Sequence, residues 1–417
     1  MLKILKGNII YTSVKDRFEV HEQSYIVLED GIVIDISLEL PEAYEAKDVV
    51  DYGEGIIIPS FIDLHIHAPQ FMQRGIGMNL QLIDWLNQYT FMLEGRFADV
   101  NYAKKVYPEF VQSLYDHGTL RSVIFATVHD ESNRYLVEAL TEKGLGAYVG
   151  KVNMNQNAPV SLIESTEKSL RETEAFIKDY DQASQVKAVI TPRFAPSCTS
   201  ELLEGLGQLS VKYHTPVQSH LSENRDEVAW VKELFPDSTS YSDVYDKRHL
   251  LGKEKTLMAH AIYLEEEELK LLMNDRVFLV HCPFSNMNLA SGIMPLTRYM
   301  DMGLQIGLGS DVGGGHEIAM NKTIAAAIQC SKMRYVTNSE ERILSESEAF
   351  YMATKLNGKF FGDTIGSFDL GYKFDALVIK DNDPLMMTLT PMEQLQRFIY
   401  CGQPIDIIAR YFEGEII

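Results

Sequence analysis

Cysteine is scarce in this chain. The 417 residues hold four, Cys198, Cys282, Cys330 and Cys401, and no two stand in Cys-x-x-Cys spacing. That argues against a disulfide framework or a thiolate zinc site and for a reducing compartment, so a cytoplasmic protein is expected. Long apolar runs are missing too: none approaches the ~18 residues of a membrane-spanning helix. Met1 to Thr12 has lysines at 3 and 6 but neither an uninterrupted apolar core nor a small-residue cleavage site, and reads as mature sequence, not a signal peptide. Positive charge is in deficit, 38 basic against 59 acidic residues for a net charge of −21. Such a surface repels nucleic acids and anionic membranes, which leaves a small neutral substrate open. Repeats and low-complexity tracts are absent. No Gly-x-Gly-x-x-Gly follows the first strand-like run, which disfavours a dinucleotide-binding open sheet.

What the chain does have is alternation. Short apolar runs read as strands: Ile56 to His65, Leu120 to Ala126, Gly146 to Val152, Val186 to Ile190, Thr215 to His220, Thr256 to His260, Arg276 to His281 and Leu304 to Gly309. Amphipathic stretches lie between them, at Tyr102 to Tyr115, Leu162 to Asp179, Glu201 to Tyr213, Asn224 to Leu234 and Leu264 to Asn274. Eight strands separated by helices predict a (β/α)8 TIM-like barrel over residues 58–365. Ser345-Glu-Ser-Glu348 predicts a capping box opening a late helix that ends near Gly358. The two ends read differently, as short alternating strands, with Asp30-Gly31 a strong hairpin signal. Neither end has strands enough for its own core. Residues 1–57 and 366–417 are therefore expected to build one composite β-sandwich.

The functional signal begins at His65-Ile66-His67. Side chains two apart on a strand face the same way, so both imidazoles point to one side. Four further strand ends carry His220, His260, His281 and Asp311, and strand C-termini are where such barrels carry their active sites. A single strand-end histidine more often just bonds a loop carbonyl; five together make that reading improbable. Three imidazoles and a carboxylate suit zinc or ferrous iron and leave room for a water. The other six, His21, His117, His129, His214, His249 and His316, read as surface, turn or supporting residues.

Seven segments carry a resemblance: His65 to Gln70, Asp84 to Phe91, Thr191 to Phe194, Gln218 to Asp226, Met258 to His260, His281 to Asn286, and Gly309 to Gly315. In content and order they resemble the metal-dependent amidohydrolase superfamily and, within it, the guanine deaminases. Ser60, where many relatives have glycine, and Phe284 are minor departures. The resemblance implies zinc-dependent hydrolytic deamination of guanine to xanthine and ammonia, in purine breakdown or salvage, by a homodimer. It implies that His65, His67, His220 and Asp311 hold one zinc (or iron), that His260 orients the water, and that Glu223 shuttles the proton. Asp311 would double as base. Two-metal relatives use a lysine at the fourth strand end, where this chain has Thr191-Pro192-Arg193, so one metal is expected.

Guanine is a flat, neutral, hydrogen-bonding ring. Gln70 can donate and accept on one edge, Arg193 can donate to the ring oxygen, and Phe194 offers a stacking face. His67, His220, Glu223 and Asp311 would also meet the ring. Arg193 is expected to matter far more to binding than to folding. Trp85 fits the pocket and the core equally well. Two rivals stand: a relative acting on another amino- or halo-substituted heterocycle, and a non-catalytic scaffold. Gln70 and Arg193-Phe194 argue against the first; intact Glu223, His260 and Asp311 argue against the second. His129-Asp130-Glu131 matches half of the His-x-Glu, Pro-Cys-x-x-Cys signature of another deaminase fold, but the missing Cys-x-x-Cys excludes it.

Overall fold

Eight short parallel strands carry the middle of the chain in the computed structural model, which describes residues 1–44, 48–180, 185–381 and 388–417. Phe61–His67, Thr119–Phe125, Gly146–Gly150 and Val186–Ala188 form one four-stranded sheet; Val217–Leu221, Thr256–His260, Val277–His281 and Gln305–Leu308 form another. Ile62 and Leu64 of the first strand pack in one cluster with Leu257 of the sixth and Phe278 and Val280 of the seventh. Strands that far apart in order share a cluster only if the two sheets curl toward each other. Backbone bonds cross both seams. The Gln218 amide donates to the Ile190 carbonyl at 2.9 Å, and the Asp311 amide to the His65 carbonyl at 2.8 Å. Helices pack outside, among them Val100–Asp116, Thr166–Tyr180, Ser200–Tyr213 and Arg225–Leu234.

One expected strand divides. Ile56–Ile58 were read as the start of the first barrel strand. They instead end the strand Val49–Pro59, which pairs with Ala376–Ile379 in a different sheet; the barrel strand starts afresh at Phe61. The chain changes partners just past Pro59: the Ser60 amide donates to the Asp375 carbonyl at 2.9 Å, and the Phe61 amide to the Gly118 carbonyl at 3.1 Å.

Strands from both ends of the chain share a single seven-stranded sheet. Leu2–Val14 pairs antiparallel with Arg17–Glu29 and parallel with Val49–Pro59. Ala376–Ile379 then joins Val49–Pro59 to Ile407–Phe412, and Glu415–Ile416 closes the edge. Hydrogen bonding thus gives one continuous sheet among the described residues, where two stacked sheets were expected. Its apolar cluster draws on both termini, Leu5, Ile9, Ile26 and Ile57 against Phe374, Val378 and Tyr411. The hairpin at Asp30-Gly31 forms, with φ of 50° and 79°, the left-handed pair a two-residue turn demands. The capping box at Ser345 and Glu348 forms as well, and the helical run it opens continues to Phe361. Arg121 of the second parallel strand ties to the end of the sheet, Nε donating to Asp375 Oδ2 at 2.7 Å and Nη2 to Glu413 Oε1 at 3.0 Å, and the Phe61 ring stacks on Phe398 of the helix Pro391–Cys401 at 6.3 Å. No helix among the described residues is long and apolar enough to cross a membrane.

Candidate active site

The ends of the first, fifth, sixth and eighth of these parallel strands converge. Ligand atoms of His65, His67, His220 and Asp311 all lie within 4.8 Å of one another. Asp311 Oδ1 is 3.2 Å from His65 Nε2 and 3.3 Å from His67 Nε2, and the Nε2 atoms of His67 and His220 are 3.2 Å apart. His220 turns its other nitrogen, Nδ1, to the Arg193 carbonyl at 2.5 Å. That bond fixes the tautomer and leaves Nε2 with a lone pair facing the cluster. His65 Nε2 is buried with no hydrogen-bond partner. Desolvation, above the partial compensation from Asp311, lowers His67 to about 4. Desolvation and then the neighbouring imidazoles hold His220 well below its ordinary value. Burial works to raise Asp311, but His65 and His67 outweigh it and hold the carboxyl well below its usual range. A neutral His67 and His220 beside an ionised Asp311 are protonation states that suit a divalent metal.

The strand ends are held in register by Asp63, whose importance the sequence did not reveal. Its Oδ1 accepts the amides of His65 at 3.0 Å and Ser310 at 3.1 Å, and Oδ2 accepts the Ser310 hydroxyl. One buried carboxylate therefore ties the first strand to the eighth beside both His65 and Asp311. Asp311 and His260 sit in the left-handed region, with φ of 49° and 73°. For residues other than glycine this costs about 1–3 kcal/mol each and persists only where surrounding structure insists on it.

Above the cluster lie His260 and Glu223. His260 Nδ1 meets Asn286 Oδ1 at 2.9 Å, which leaves Nε2 directed inward, 3.5 Å from Glu223 Oε2 and 3.6 Å from Asp311 Oδ2. Glu223 follows the fifth strand, in the turn before the helix Arg225–Leu234, and Asn224 caps that helix by accepting the Asp226 amide at 2.9 Å. The turn is stiffened by Glu227, whose Oε2 accepts the amides of Glu223 and Asn224. Burial, then the charge of Asp311, pushes Glu223 up to about 8.

A cleft of about 400 Å³ opens onto these groups. Gln70, Arg193 and Phe194 line it together with His67, His220, Glu223, His260 and Asp311. Trp85 lines it too, settling the choice between pocket and core in favour of both, since the ring is 3% exposed and its Nε1 donates to the Ile76 carbonyl at 3.1 Å. His281 is not part of the convergence; it is buried, with neither ring nitrogen partnered. Among the described residues a second grouping, His65, His260, Cys282 and Asp311, also lies within 4.8 Å. Burial first, then Asp311 and other carboxylates, raises the Cys282 thiol well above its ordinary value, so it stays protonated and is a poor ligand.

Residues 56–416 match the Amidohydrolase family. The chain belongs to this family. A guanine deaminase from Dictyostelium discoideum is 35% identical across 100% of this chain and 98% of its own length. One from Escherichia coli strain K12 is 35% identical over 86% of this chain and 78% of its own. Among solved structures, guanine deaminase from C. acetobutylicum with bound guanine in its active site is 48% identical, with a TM-score of 0.98 over 100% of both chains.

One more side chain escaped the sequence reading. Glu94, 3% exposed, ends a short helix, Phe91–Glu94, in the segment between the first strand and the helix Val100–Asp116. Its Oε1 accepts Gln70 Nε2 at 2.8 Å, and its Oε2 accepts Arg193 Nη1 in a buried ion pair. The second end of Gln70 is also engaged, Oε1 accepting the Gly313 amide at 3.2 Å. Arg193 is thus buried and paired, where a loosely attached barrel-mouth arginine was expected. The signal was faint: Glu94 stands just beyond the Asp84 to Phe91 motif, and its short helical turns have no amphipathic period to read.

Proposed function

We propose that this amidohydrolase hydrolyses guanine to xanthine and ammonia, and that His65, His67, His220 and Asp311 hold a single divalent metal ion, zinc or alternatively iron. The observation that carries the reading is the shared cleft. Gln70, Arg193 and Phe194, which suit a flat neutral purine, line the same wall-to-wall space as the histidine and aspartate cluster, in a chain whose relatives are guanine deaminases. The donor set fits such an ion: His65 Nε2 is buried without a hydrogen-bond partner, 3.2 Å from Asp311 Oδ1, and that carboxylate is ionised. A divalent ion bound there supplies the charge that brings the pKa of a water down to about 7.

The protein's own groups do the rest. Phe194 and Trp85 exclude water and bound the ring's faces. Arg193 donates to the ring oxygen, and Gln70 meets the ring edge. His260 Nε2 and Asp311 Oδ2 orient the attacking water between them and accept its hydrogen bonds. Glu223 carries one proton of the attacking water to the ring nitrogen beside carbon 2, and then a second, shed by the hydroxyl of the carbon-2 adduct, to the departing amine. The C–O bond at carbon 2 forms first; the C–N bond then breaks as the added hydroxyl becomes the second ring carbonyl, and ammonia leaves. We read the two four-stranded sheets as halves of one closed (β/α)8 barrel spanning 58–365, with 1–57 and 366–417 as a second, composite domain. We further propose a cytoplasmic homodimer.

The test is an ammonia-release assay over purines and pterins, run beside elemental analysis of the purified chain. Turnover of guanine above the other rings, with about one tightly held divalent metal per chain, is expected. Preference for another heterocycle, or full activity in metal-free protein, overturns the reading.

A further inference from the structure

Glu94 touches neither the cleft nor the expected metal ligands, yet both polar residues suited to the purine edge hang from it. Gln70 could present its amide to a ligand in either of two flips. The bonds to Glu94 Oε1 and to the Gly313 amide fix one of them, with Nε2 on the Glu94 side and Oε1 on the backbone side. Arg193 could swing its guanidinium. The ion pair with Glu94 and the Phe91 ring, 5.2 Å from its central carbon, hold the plane. The second effect is electrostatic. An arginine alone in a buried cleft is a strong anion site; one paired to a buried carboxylate presents donors with little net charge.

We propose that Glu94 is a positioning residue that sets the site's preference for neutral rings and discourages the anionic form of the product. The inference rests on the guanine reading above. Deamination replaces an exocyclic amine with a second carbonyl, which makes xanthine a stronger acid than guanine. The fraction that sheds a ring proton becomes an anion beside an Arg193 whose charge Glu94 already answers. Neutral substrate is held by directed hydrogen bonds, and the ionised product gains no Coulombic attraction that would keep it in the cleft. With the carboxylate removed, Arg193 has no counter-charge and the cleft becomes an anion trap.

The experiment compares competitive inhibition by urate, an anionic purine, and hypoxanthine, a neutral one, in the metal-loaded wild type, Glu94→Gln and Glu94→Asp. For Glu94→Gln, urate is expected to bind about tenfold tighter relative to hypoxanthine, on the scale of one buried charge pair. KM for guanine should rise with little change in kcat, because Glu94 does not meet the reacting atoms. Glu94→Asp keeps the charge and should keep the wild-type ratio. An unchanged ratio in a folded Glu94→Gln protein overturns the proposal and leaves Glu94 a scaffold residue. If Glu94→Gln does not fold, the wild type decides alone. Its inhibition by xanthine should fade as pH rises through the first ionisation of xanthine, while inhibition by hypoxanthine holds; equal binding of both xanthine forms overturns it. A wild type that releases no ammonia from guanine defeats the guanine reading instead, an outcome separate from any change in the urate ratio.

Discussion

Glu223 brings geometry and protonation together in one side chain. It is buried, its Oε1 accepts the Ser291 hydroxyl at 3.0 Å, and its Oε2 faces His260. Glu223→Gln keeps the shape and loses the proton. Turnover of guanine should fall roughly 10²–10⁴-fold, the usual range for a general acid–base group, while metal content and substrate binding persist. Steady-state kinetics with metal analysis checks this; near-normal turnover would remove Glu223 from the chemistry. The raised pKa also has a thermodynamic side. A carboxyl at about 8 in the folded chain and near 4.5 unfolded contributes stability that is fully present below about 4.5 and lost as pH rises through about 8. Thermal melts of the metal-free chain should therefore show a decline toward alkaline pH, and Glu223→Gln should flatten it.

At the scale of elements, the segment between the first strand and the helix Val100–Asp116 closes one side of the cleft, held by a buried ion pair beside the Gln70–Gly313 bond and the apolar packing of Leu82, Trp85, Leu86 and Phe91. Arg193 follows the fourth strand, and Glu94 belongs to the segment. Arg193→Ala should lower kcat/KM for guanine about 5- to 150-fold through the lost donor. It should also destabilise the fold by about 3–5 kcal/mol, because Glu94 is left buried and unpaired. The expectation that this arginine matters little to folding does not survive its burial. Calorimetry beside kinetics checks both parts; a stable variant would mean that the segment is held by its apolar contacts alone. The parallel strands were legible because each is a short apolar run set between amphipathic stretches, because five of the eight lead into a histidine or aspartate, and because alternation makes His65 and His67 face one way. The ligand-bearing ends need only local pattern. Asp63 and Glu94 need more: each acts by accepting bonds from a distant part of the chain, from Ser310 and from Arg193, and no local spacing records a partner that folding supplies. The segment 68–98 hid for a related reason, since its 3-10 and π turns lack the 3.6-residue period that identifies a helix.

The whole molecule is fastened at its ends. Ala376–Ile379 lies between Val49–Pro59 and Ile407–Phe412, and Asp375 beside it receives Arg121 from the second barrel strand. Asn321 Nδ2 donates to the Phe398 carbonyl at 2.8 Å, so the helix Pro391–Cys401 also holds Met320–Thr337, the long helix after the eighth strand. Removing the final fifty residues strips three strands from the sheet, exposes the edge of Val49–Pro59 and leaves Arg121 buried without its carboxylate. An insoluble or unfolded chain is expected on expression and sedimentation; a soluble, active truncation would show that the first four strands stand without the last three.

That sheet also sets a timetable. Val49–Pro59 leaves the ribosome early, and its neighbour Ala376–Ile379 is more than three hundred residues behind it in the sequence. At about 5–20 residues per second the interval is tens of seconds, during which an apolar strand, Ile56-Ile57-Ile58, waits with one edge open. Nascent chains stalled before the final strands should therefore be the species that cellular chaperones bind, and the barrel, complete in sequence by then, would be released only when the last strand is delivered.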